Sequence, residues 1–129
     1  MPPREVVIDT NFLLIPFQFK INIVNELDYL IDYSHRYVIS SKTVDELEKL
    51  AESSGKQGAA ARVALKILKA QEKKIRIVES ERHVDDWIVD YAKEHNAVVC
   101  TTDRELRRRL KAQKAKVITL KSKSRLGFV

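Results

Sequence analysis

Four carboxylates in this sequence follow apolar runs of strand length or lie on the helices after them. They are Asp9, one of the helical acids Asp45, Glu46 and Glu48, one of the pair Asp85 and Asp86, and Asp103. Carboxylate oxygens are preferred ligands of hard divalent cations such as Mg²⁺ and Mn²⁺. A pair of such ions assists phosphodiester hydrolysis by lowering the pKa of a bound water and stabilising the leaving oxygen. The pattern therefore indicates metal-assisted hydrolysis, provided that the fold brings the four acids together.

Each acid also has an ordinary structural explanation. Asp85 and Asp103 each precede a predicted helix and would serve as N-caps, where the helix dipole favours a negative charge. Asp9 would end a strand by a local turn, and Glu46 lies at the edge of an apolar helical stripe. These explanations hold for single residues, but four acids at one place would repel each other unless they were protonated or bound to metal.

Other site chemistries have little support in the sequence. The single cysteine, Cys100, excludes an internal disulfide bond and a cysteine-rich zinc site. His35, His83 and His95 are scattered and do not have the spacing of a zinc site. We expect these three histidines to lie at the surface or in structural positions.

The elements that would position the acids are strands that alternate with helices. Apolar runs of strand length occur at Val6–Ile8, Tyr37–Ile39, Ile75–Val78, Ala97–Cys100 and Val117–Leu120. Apolar residues at steps of three and four predict helices between them. We predict an α/β fold, a three-layer sandwich whose mostly parallel sheet of about five strands has helices on both faces. Residues 53–58 (SSGKQG) are predicted to form a flexible loop between two helices.

Such a sheet binds ligands beyond the carboxyl ends of its strands. The four acids follow strands that would share this edge, so the predicted fold favours their convergence.

The composition predicts one soluble domain that spans residues 1–129. Hydrophobic residues make up 44% of the chain and charged residues 33%, which is typical of a globular protein. The longest apolar run is too short to cross a bilayer, and the first residues lack the apolar core of a signal peptide. We expect a cytoplasmic protein without a membrane partner.

Positive charge is concentrated towards the end of the chain. The net charge is +6, and from Arg104 onward there are ten Lys or Arg residues and one acid, Glu105. A basic C-terminal tail is predicted at about residues 121–129. The asymmetry indicates a polyanionic partner, nucleic acid before membrane, although a solvated lysine-rich helix and tail would show the same composition.

Four of these cations fall on a predicted helix that begins beside Asp103. Arg104, Arg107, Arg108 and Lys111 are spaced three or four apart, which places them on a shared flank. Leu106 and Leu110 would mark the buried side of the same helix. We expect this flank to contact the phosphate backbone of RNA near the acidic site.

The order of four short motifs resembles the PIN-domain ribonucleases from Val6 to about Leu120. The motifs are Asp-Thr-Asn at 9–11, Asp-Glu-Leu at 45–47, Asp-Asp-Trp-Ile-Val at 85–89 and Thr-Thr-Asp-Arg-Glu-Leu at 101–106. Each motif alone is weak, but their order and spacing are specific. Two branches of the family are similar to the chain: the VapC-type toxins of toxin–antitoxin pairs, and the nucleases that process small-subunit ribosomal RNA.

The resemblance implies a catalytic metal site formed by Asp9, Glu46, Asp85 and Asp103, with Mg²⁺ or Mn²⁺ as cofactor. It favours Asp85 over Asp86, because toxin-type members place Ile, Ala and the last Asp three, seven and eighteen residues beyond this ligand. Ile88, Ala92 and Asp103 match those steps. Asp86 stays an alternative ligand. Asn11 and Thr102 are expected to be polar supports that orient carboxylates or waters.

The resemblance also implies partners and a role. RNA is the expected substrate, and the expected protein partner is either an antitoxin or a pre-ribosomal particle. A homodimer is implied by the toxin branch. A non-catalytic RNA-binding ribosome-assembly factor is the alternative function. A receiver-like phosphoacceptor domain fits poorly, because it would need paired acids near the first strand rather than at Asp85 and Asp86.

Overall fold

The computed structural model describes residues 2–129 and contains one sheet with helices packed on both faces. The strands are β1 (Arg4–Ile8), β2 (His35–Ser40), β3 (Ile75–Val78), β4 (Val98–Cys100), β5 (Lys116–Ser122) and β6 (Arg125–Phe128). The helices are α1 (Ile15–Phe19), α2 (Ile23–Leu30), α3 (Ser41–Ala51), α4 (Gly55–Ala70), α5 (Val84–His95) and α6 (Arg104–Ala112), and a 3-10 helix covers Thr10–Leu14.

The strands lie in the order β3-β2-β1-β4-β5-β6. Strands β1 to β5 pair in parallel, and β6 pairs antiparallel with β5. All five parallel strands therefore end at one edge of the sheet, which we call the carboxyl edge, and begin at the opposite amino edge. This arrangement confirms the predicted mostly parallel sheet.

Alternate residues of the buried strands face opposite layers, as the two-residue period of a strand requires. Val6 and Ile8 of β1 join a core with the 3-10 helix and α1 to α4, whereas Val7 joins a core with α5 and α6. The same alternation recurs in β2, β4 and β5. Because both faces of the sheet are covered, these strands read as continuous apolar runs, and the predicted three-layer architecture is confirmed.

The sheet has six strands rather than the predicted five. The segment predicted as a basic tail, about 121–129, contains the end of β5 and all of β6. Leu126 of β6 is buried against the core, while Lys121, Lys123 and Arg125 are exposed. Exposed cations on an edge strand discourage pairing with a further chain, so the basic composition of this segment is compatible with a strand.

The predicted flexible loop at residues 53–58 is also shorter in the structure. Helix α4 begins at Gly55, and residues 52–54 form the connection. Gly58 lies inside the helix, and a Cβ atom built there would lie 1.9 Å from the carbonyl oxygen of Ser53. This glycine therefore permits close packing of the connection on α4 and is not a sign of flexibility.

No helix in residues 2–129 has both the length and the apolar character needed to cross a membrane.

Candidate functional site

Asp9 lies at the carboxyl edge, immediately after β1, and it is only 3% exposed. Its backbone N–H donates to the carbonyl of Cys100 at the end of β4, at 3.0 Å, which holds the two strand ends together. The Thr101 hydroxyl donates to one carboxylate oxygen of Asp9 at 2.8 Å, and the Thr10 backbone N–H donates to the other at 2.8 Å. Strand pairing and hydrogen bonds therefore fix this carboxylate in position.

Burial raises the pKa of Asp9 to about 6. The hydrogen bonds from Thr101 and from the Thr10 backbone oppose this increase, while the negative charges of Asp85 and Asp103 add to it. These two acids are therefore close enough to interact electrostatically with Asp9. The structure brings three of the four predicted acids together at one edge of the sheet.

Asp85 and Asp103 reach this edge from two helix starts. Asp103 is the N-cap of α6, and its carboxylate accepts from the Leu106 backbone N–H at 2.9 Å. Burial raises the pKa of Asp85, and the charge of Asp103 raises it further, whereas Arg109 and His83 lower it. The predicted capping role of Asp103 is confirmed.

The predicted capping role of Asp85 is wrong. Helix α5 begins at Val84 with His83 as its N-cap, so Asp85 lies in the first helical turn. A side chain in that turn is free of the cap geometry and can point towards the neighbouring helix start. Its interaction with Asp103 is consistent with that position.

Glu46 is connected to the same edge through Thr10. Helix α3 begins directly after β2 and is capped by Ser40, whose hydroxyl accepts from the Lys42 backbone N–H at 3.1 Å. From this helix Glu46 accepts a hydrogen bond from the Thr10 hydroxyl at 2.7 Å, and the Thr43 hydroxyl oxygen lies 3.2 Å from that of Thr10. Because Thr10 is adjacent to Asp9, this contact places Glu46 beside the buried carboxylate.

The four acids surround this edge but do not form a closed cage. In residues 2–129, no group of three or more Asp, Glu, His or Cys side chains is gathered closely enough to hold a metal ion. The donor atoms are hard oxygens, which suit Mg²⁺ or Mn²⁺, and the Asp9, Asp85 and Asp103 charges interact. The residues fit a divalent cation by their chemistry, and binding would require the side chains to draw closer.

Asp86, the alternative ligand, is turned towards a different partner. It is exposed, and one of its oxygens accepts from the Arg109 guanidinium at 2.9 Å. Asp85 is more buried and contributes to the raised pKa of Asp9. The geometry thus favours Asp85 for the site.

The side chain of Asp9 is supported by neighbours of Asn11 and Thr102, and the predicted role of these two residues in orienting other carboxylates or waters stays a prediction. Asn11 and Thr102 are exposed, and neither side chain is hydrogen-bonded to Asp9. The supporting contacts come instead from their neighbours Thr10 and Thr101, which are buried. No signal in the sequence separates Thr101 from Thr102, because both follow β4 and both faces of the sheet are covered.

Helix α6 carries all four cations of the predicted flank, but two of them, Arg108 and Lys111, have partners within the protein. Arg104, Arg107, Arg108 and Lys111 lie on the helix that starts at Asp103, and Leu106 and Leu110 are buried as predicted. Arg108 forms an ion pair with Glu105, and the Lys111 ammonium donates to the backbone oxygen of Val129 at 2.7 Å.

An open groove of about 320 Å³ adjoins the acidic edge between α3 and the start of α5. Asp45, Glu46, Lys42, Lys49, Arg82 and His83 are among the residues that line it. The groove therefore places cations next to the acids of this edge.

Comparisons with known proteins agree on one family. A sequence model described as "PIN like domain" matches residues 6–123. Ribonuclease VapC4 of Methanocaldococcus jannaschii is 32% identical over 121 residues, which cover 92% of each chain. Ribonuclease VapC9 of Archaeoglobus fulgidus is 35% identical over 124 residues, which cover 95% of this chain and 87% of the relative.

Two further relatives are an rRNA-processing protein and an endonuclease of known structure. The rRNA-processing protein fcf1 of Schizosaccharomyces pombe is 31% identical over 112 residues, and the match covers 85% of this chain but 55% of that protein. The solved structure of the PIN domain endonuclease Utp24 superimposes with a TM-score of 0.75 at 25% identity, over 98% of this chain and 92% of that one. The match to the family model over residues 6–123, together with these relatives, shows that the chain belongs to the PIN-like domain family.

Proposed function

We propose that this protein is a divalent-metal-dependent endoribonuclease whose acidic site is formed by Asp9, Asp85, Asp103 and Glu46. The observation that carries the proposal is the electrostatic interaction of three acids around the buried carboxylate of Asp9 at the carboxyl edge. The names of the relatives, two ribonucleases and an endonuclease, support the same reaction class. Buried carboxylates that repel each other need a cation to be stable in their charged form.

The four carboxylates would hold Mg²⁺ or Mn²⁺, which would supply a water of lowered pKa and neutralise charge on the phosphodiester. The chain itself provides orientation. Thr101 and the Thr10 backbone fix both oxygens of Asp9, while the Thr10 hydroxyl fixes Glu46. Arg109 holds Asp86 away from the site and leaves Asp85 available. Because ligand carboxylates must be ionised, metal affinity is expected to fall below about pH 6, where Asp9 takes up a proton.

The biological role of the proposed nuclease depends on which protein or particle it binds. The activity would serve either as the toxin of a toxin–antitoxin pair or in ribosomal RNA processing, as the relatives' names suggest. The antitoxin, the pre-ribosomal particle and the homodimer stay predictions.

One observation favours a second candidate, a non-catalytic RNA-binding factor that assists ribosome assembly. In residues 2–129 the acids are not gathered into a ready metal site, and a member of the family that has given up catalysis could keep such an arrangement. RNA binding without cleavage would then be the whole activity.

The test is cleavage of a structured RNA by wild type and by Asp9→Asn, in Mg²⁺, in Mn²⁺ and in EDTA. The substitution removes a charge with little change in volume, and the Thr101 hydroxyl can rotate to accept from the new amide. We expect cleavage in metal, none in EDTA, and a loss of at least about a hundredfold in the variant. The matched control Asp45→Asn removes an exposed acid of the neighbouring groove and should cleave within about threefold of wild type.

Two results would overturn the proposal. Cleavage by a folded Asp9→Asn protein at the wild-type rate would exclude Asp9 from the site. A wild-type protein that binds RNA but cleaves none in either metal would favour the assembly factor.

A further inference from the structure

A second candidate RNA-binding surface lies at the amino edge of the sheet, opposite the acids. An open groove of about 560 Å³ is formed there by the segment before β2, the turn between α6 and β5, and the end of β6. Because β6 is antiparallel, its last residues return to the amino edge. We call this the Tyr33 groove and define it by Tyr33, Phe128, Lys111, Lys114, Lys116 and Asp32.

The groove presents two aromatic rings to solvent. Tyr33 is 38% exposed and Phe128 is 36% exposed, although large aromatic side chains of a monomer are usually buried more deeply. The guanidinium of Arg4 lies 5.9 Å from the centroid of the Tyr33 ring, which keeps the ring in place by a cation–π contact. Exposed aromatic rings that are held in position are suited to stacking on unpaired bases.

Cations outnumber acids around these rings. Lys114 and Lys116 form no salt bridge within residues 2–129, and Asp32 is the one carboxylate side chain that lines the groove. A neighbouring groove of about 460 Å³ shares Tyr33 and adds Lys73. The ligand that suits such a surface is a polyanion with aromatic groups.

Helix α6 connects this groove to the acidic edge. It begins beside Asp103 at the carboxyl edge, is about 14 Å long, and ends near Lys111, which belongs to the groove. Arg104 and Arg107 lie between the two ends on the same flank as Lys111, since steps of about 100° per residue place all three within about 60°. A backbone that follows this flank would reach from the acids to the two rings.

We propose that the Tyr33 groove binds the bases of a single-stranded RNA segment whose backbone runs along α6 from the acidic edge. The proposal rests on the ribonuclease function, and it assigns to the RNA an unpaired stretch adjacent to the position of cleavage. Lys114 and Lys116 contact phosphates, and Tyr33 and Phe128 stack on bases. An acidic protein segment would use the same lysines but would gain little from the rings.

The test is the affinity of labelled single-stranded RNA, measured by fluorescence anisotropy in EDTA so that nothing is cleaved. RNAs of about 3 and about 20 nucleotides are compared, since three nucleotides at about 3.4 Å each are shorter than α6 and only the longer RNA can cover both regions. Replacing both rings, Tyr33→Ala with Phe128→Ala, should weaken binding of the longer RNA about tenfold and leave the shorter one unchanged. The variant Lys114→Ala with Lys116→Ala should flatten the salt dependence by about 0.7 for each phosphate that is no longer neutralised.

The matched controls either make the same kind of substitution outside the groove or keep the ring within it. Tyr29 is 88% exposed on α2 and does not line the groove, so Tyr29→Ala should bind as wild type does. Tyr33→Phe keeps the ring and should also bind normally, which separates stacking from a folding defect. On the opposite layer, Lys66→Ala with Lys69→Ala removes two exposed lysines of α4 and should leave the salt dependence unchanged.

Wild-type affinity of the folded double-ring variant for the longer RNA would overturn the proposal. So would displacement of the RNA by polyglutamate at equal charge concentration, which would identify a surface for acidic proteins. These results would leave the ribonuclease proposal intact, because cleavage of the shorter RNA and its loss in Asp9→Asn do not depend on the groove.

Discussion

At the scale of single residues, Asp9 combines two requirements that oppose each other. Its carboxylate is buried, which disfavours the charged form, yet Thr101 and Thr10 donate hydrogen bonds that favour it. The raised pKa means that burial and the neighbouring acids outweigh those hydrogen bonds. Such a group gains most from a nearby cation, which is why we place Asp9 at the centre of the site.

The pKa of Asp9 makes stability depend on pH in the metal-free protein. The folded protein holds a proton on Asp9 up to about pH 6, whereas an ordinary Asp releases it near 3.8. The stability that this proton contributes is therefore complete below the unfolded pKa and is lost as pH rises through the folded pKa. The difference corresponds to about 3 kcal/mol.

Urea unfolding of wild type and Asp9→Asn in EDTA tests this expectation. The variant does not titrate at this position, so between about pH 4 and pH 7 its free energy of unfolding should rise relative to wild type by about 2 kcal/mol. Asp45→Asn, at an exposed position, controls for the loss of one negative charge. A difference between Asp9→Asn and wild type that is constant across this range would contradict the assignment.

At the scale of elements, helix α6 is the proposed link between the acidic site and RNA. Its N-terminus carries Asp103, its buried side carries Leu106 and Leu110, and its solvent side carries the cations. Arg108 is paired with Glu105, whose negative charge offsets that of the guanidinium and would repel a phosphate. We expect Arg104 and Arg107 to contribute more to phosphate contacts than Arg108.

Replacing Arg104 and Arg107 together by Ala should weaken RNA binding for all sequences, because phosphate contacts carry no sequence information. The plot of log affinity against log salt should flatten by about 0.7 for each phosphate of a single strand that the variant leaves unneutralised. Cleavage at saturating RNA should change much less, since neither side chain belongs to the acidic site. If affinity and salt dependence match wild type, this flank only solvates the helix.

The sequence predicts most of the elements because both faces of the sheet are covered. Buried strands such as Val98–Cys100 are continuous apolar runs, and the helices have apolar residues at regular steps. Strand β6 could not be predicted in this way, since Leu126 is the one buried residue among exposed and small neighbours. With one side chain in the core, β6 has neither the continuous apolar run nor the alternating pattern that predicts a strand.

The residues of the candidate site also differ in how far the sequence predicts them. The positions of acids after parallel strands indicate one acidic edge, and the resemblance to the PIN-domain ribonucleases selects Glu46 and Asp85 from their acidic neighbours. The choice of Thr10 over Asn11 and of Thr101 over Thr102 depends on which side chains point inward after the strand ends. The backbone conformation of one or two residues decides which side chain points inward. The sequence does not show this conformation, because the adjacent residues are both polar.

At the scale of the whole molecule, opposite charges are separated in space. Acids cluster at the carboxyl edge, while the cations of the last part of the chain follow α6 to the amino edge. A polyanion attracted by the cations would be repelled by the acids unless a metal ion neutralised them. Metal binding and RNA binding should therefore support each other.

Mn²⁺ at millimolar concentration should raise the melting temperature relative to EDTA, because an ion that binds only the folded state stabilises it. The increase should be smaller in Asp103→Asn, which removes one carboxylate from the site. Asp45→Asn should retain the full increase. Identical melting temperatures of wild type in Mn²⁺ and in EDTA would count against a metal site at this edge.

The comparison of two adjacent acids tests the central claim most directly. Asp85 interacts with Asp9 and Asp103, whereas Asp86 is paired with Arg109, so Asp85→Asn and Asp86→Asn differ in site chemistry but hardly in position. The measurement is the rate of RNA cleavage at saturating Mn²⁺ by each variant. We predict a loss of at least about a hundredfold for Asp85→Asn and less than about tenfold for Asp86→Asn. Equal rates for the two variants, or a greater loss in Asp86→Asn, would contradict the proposed site.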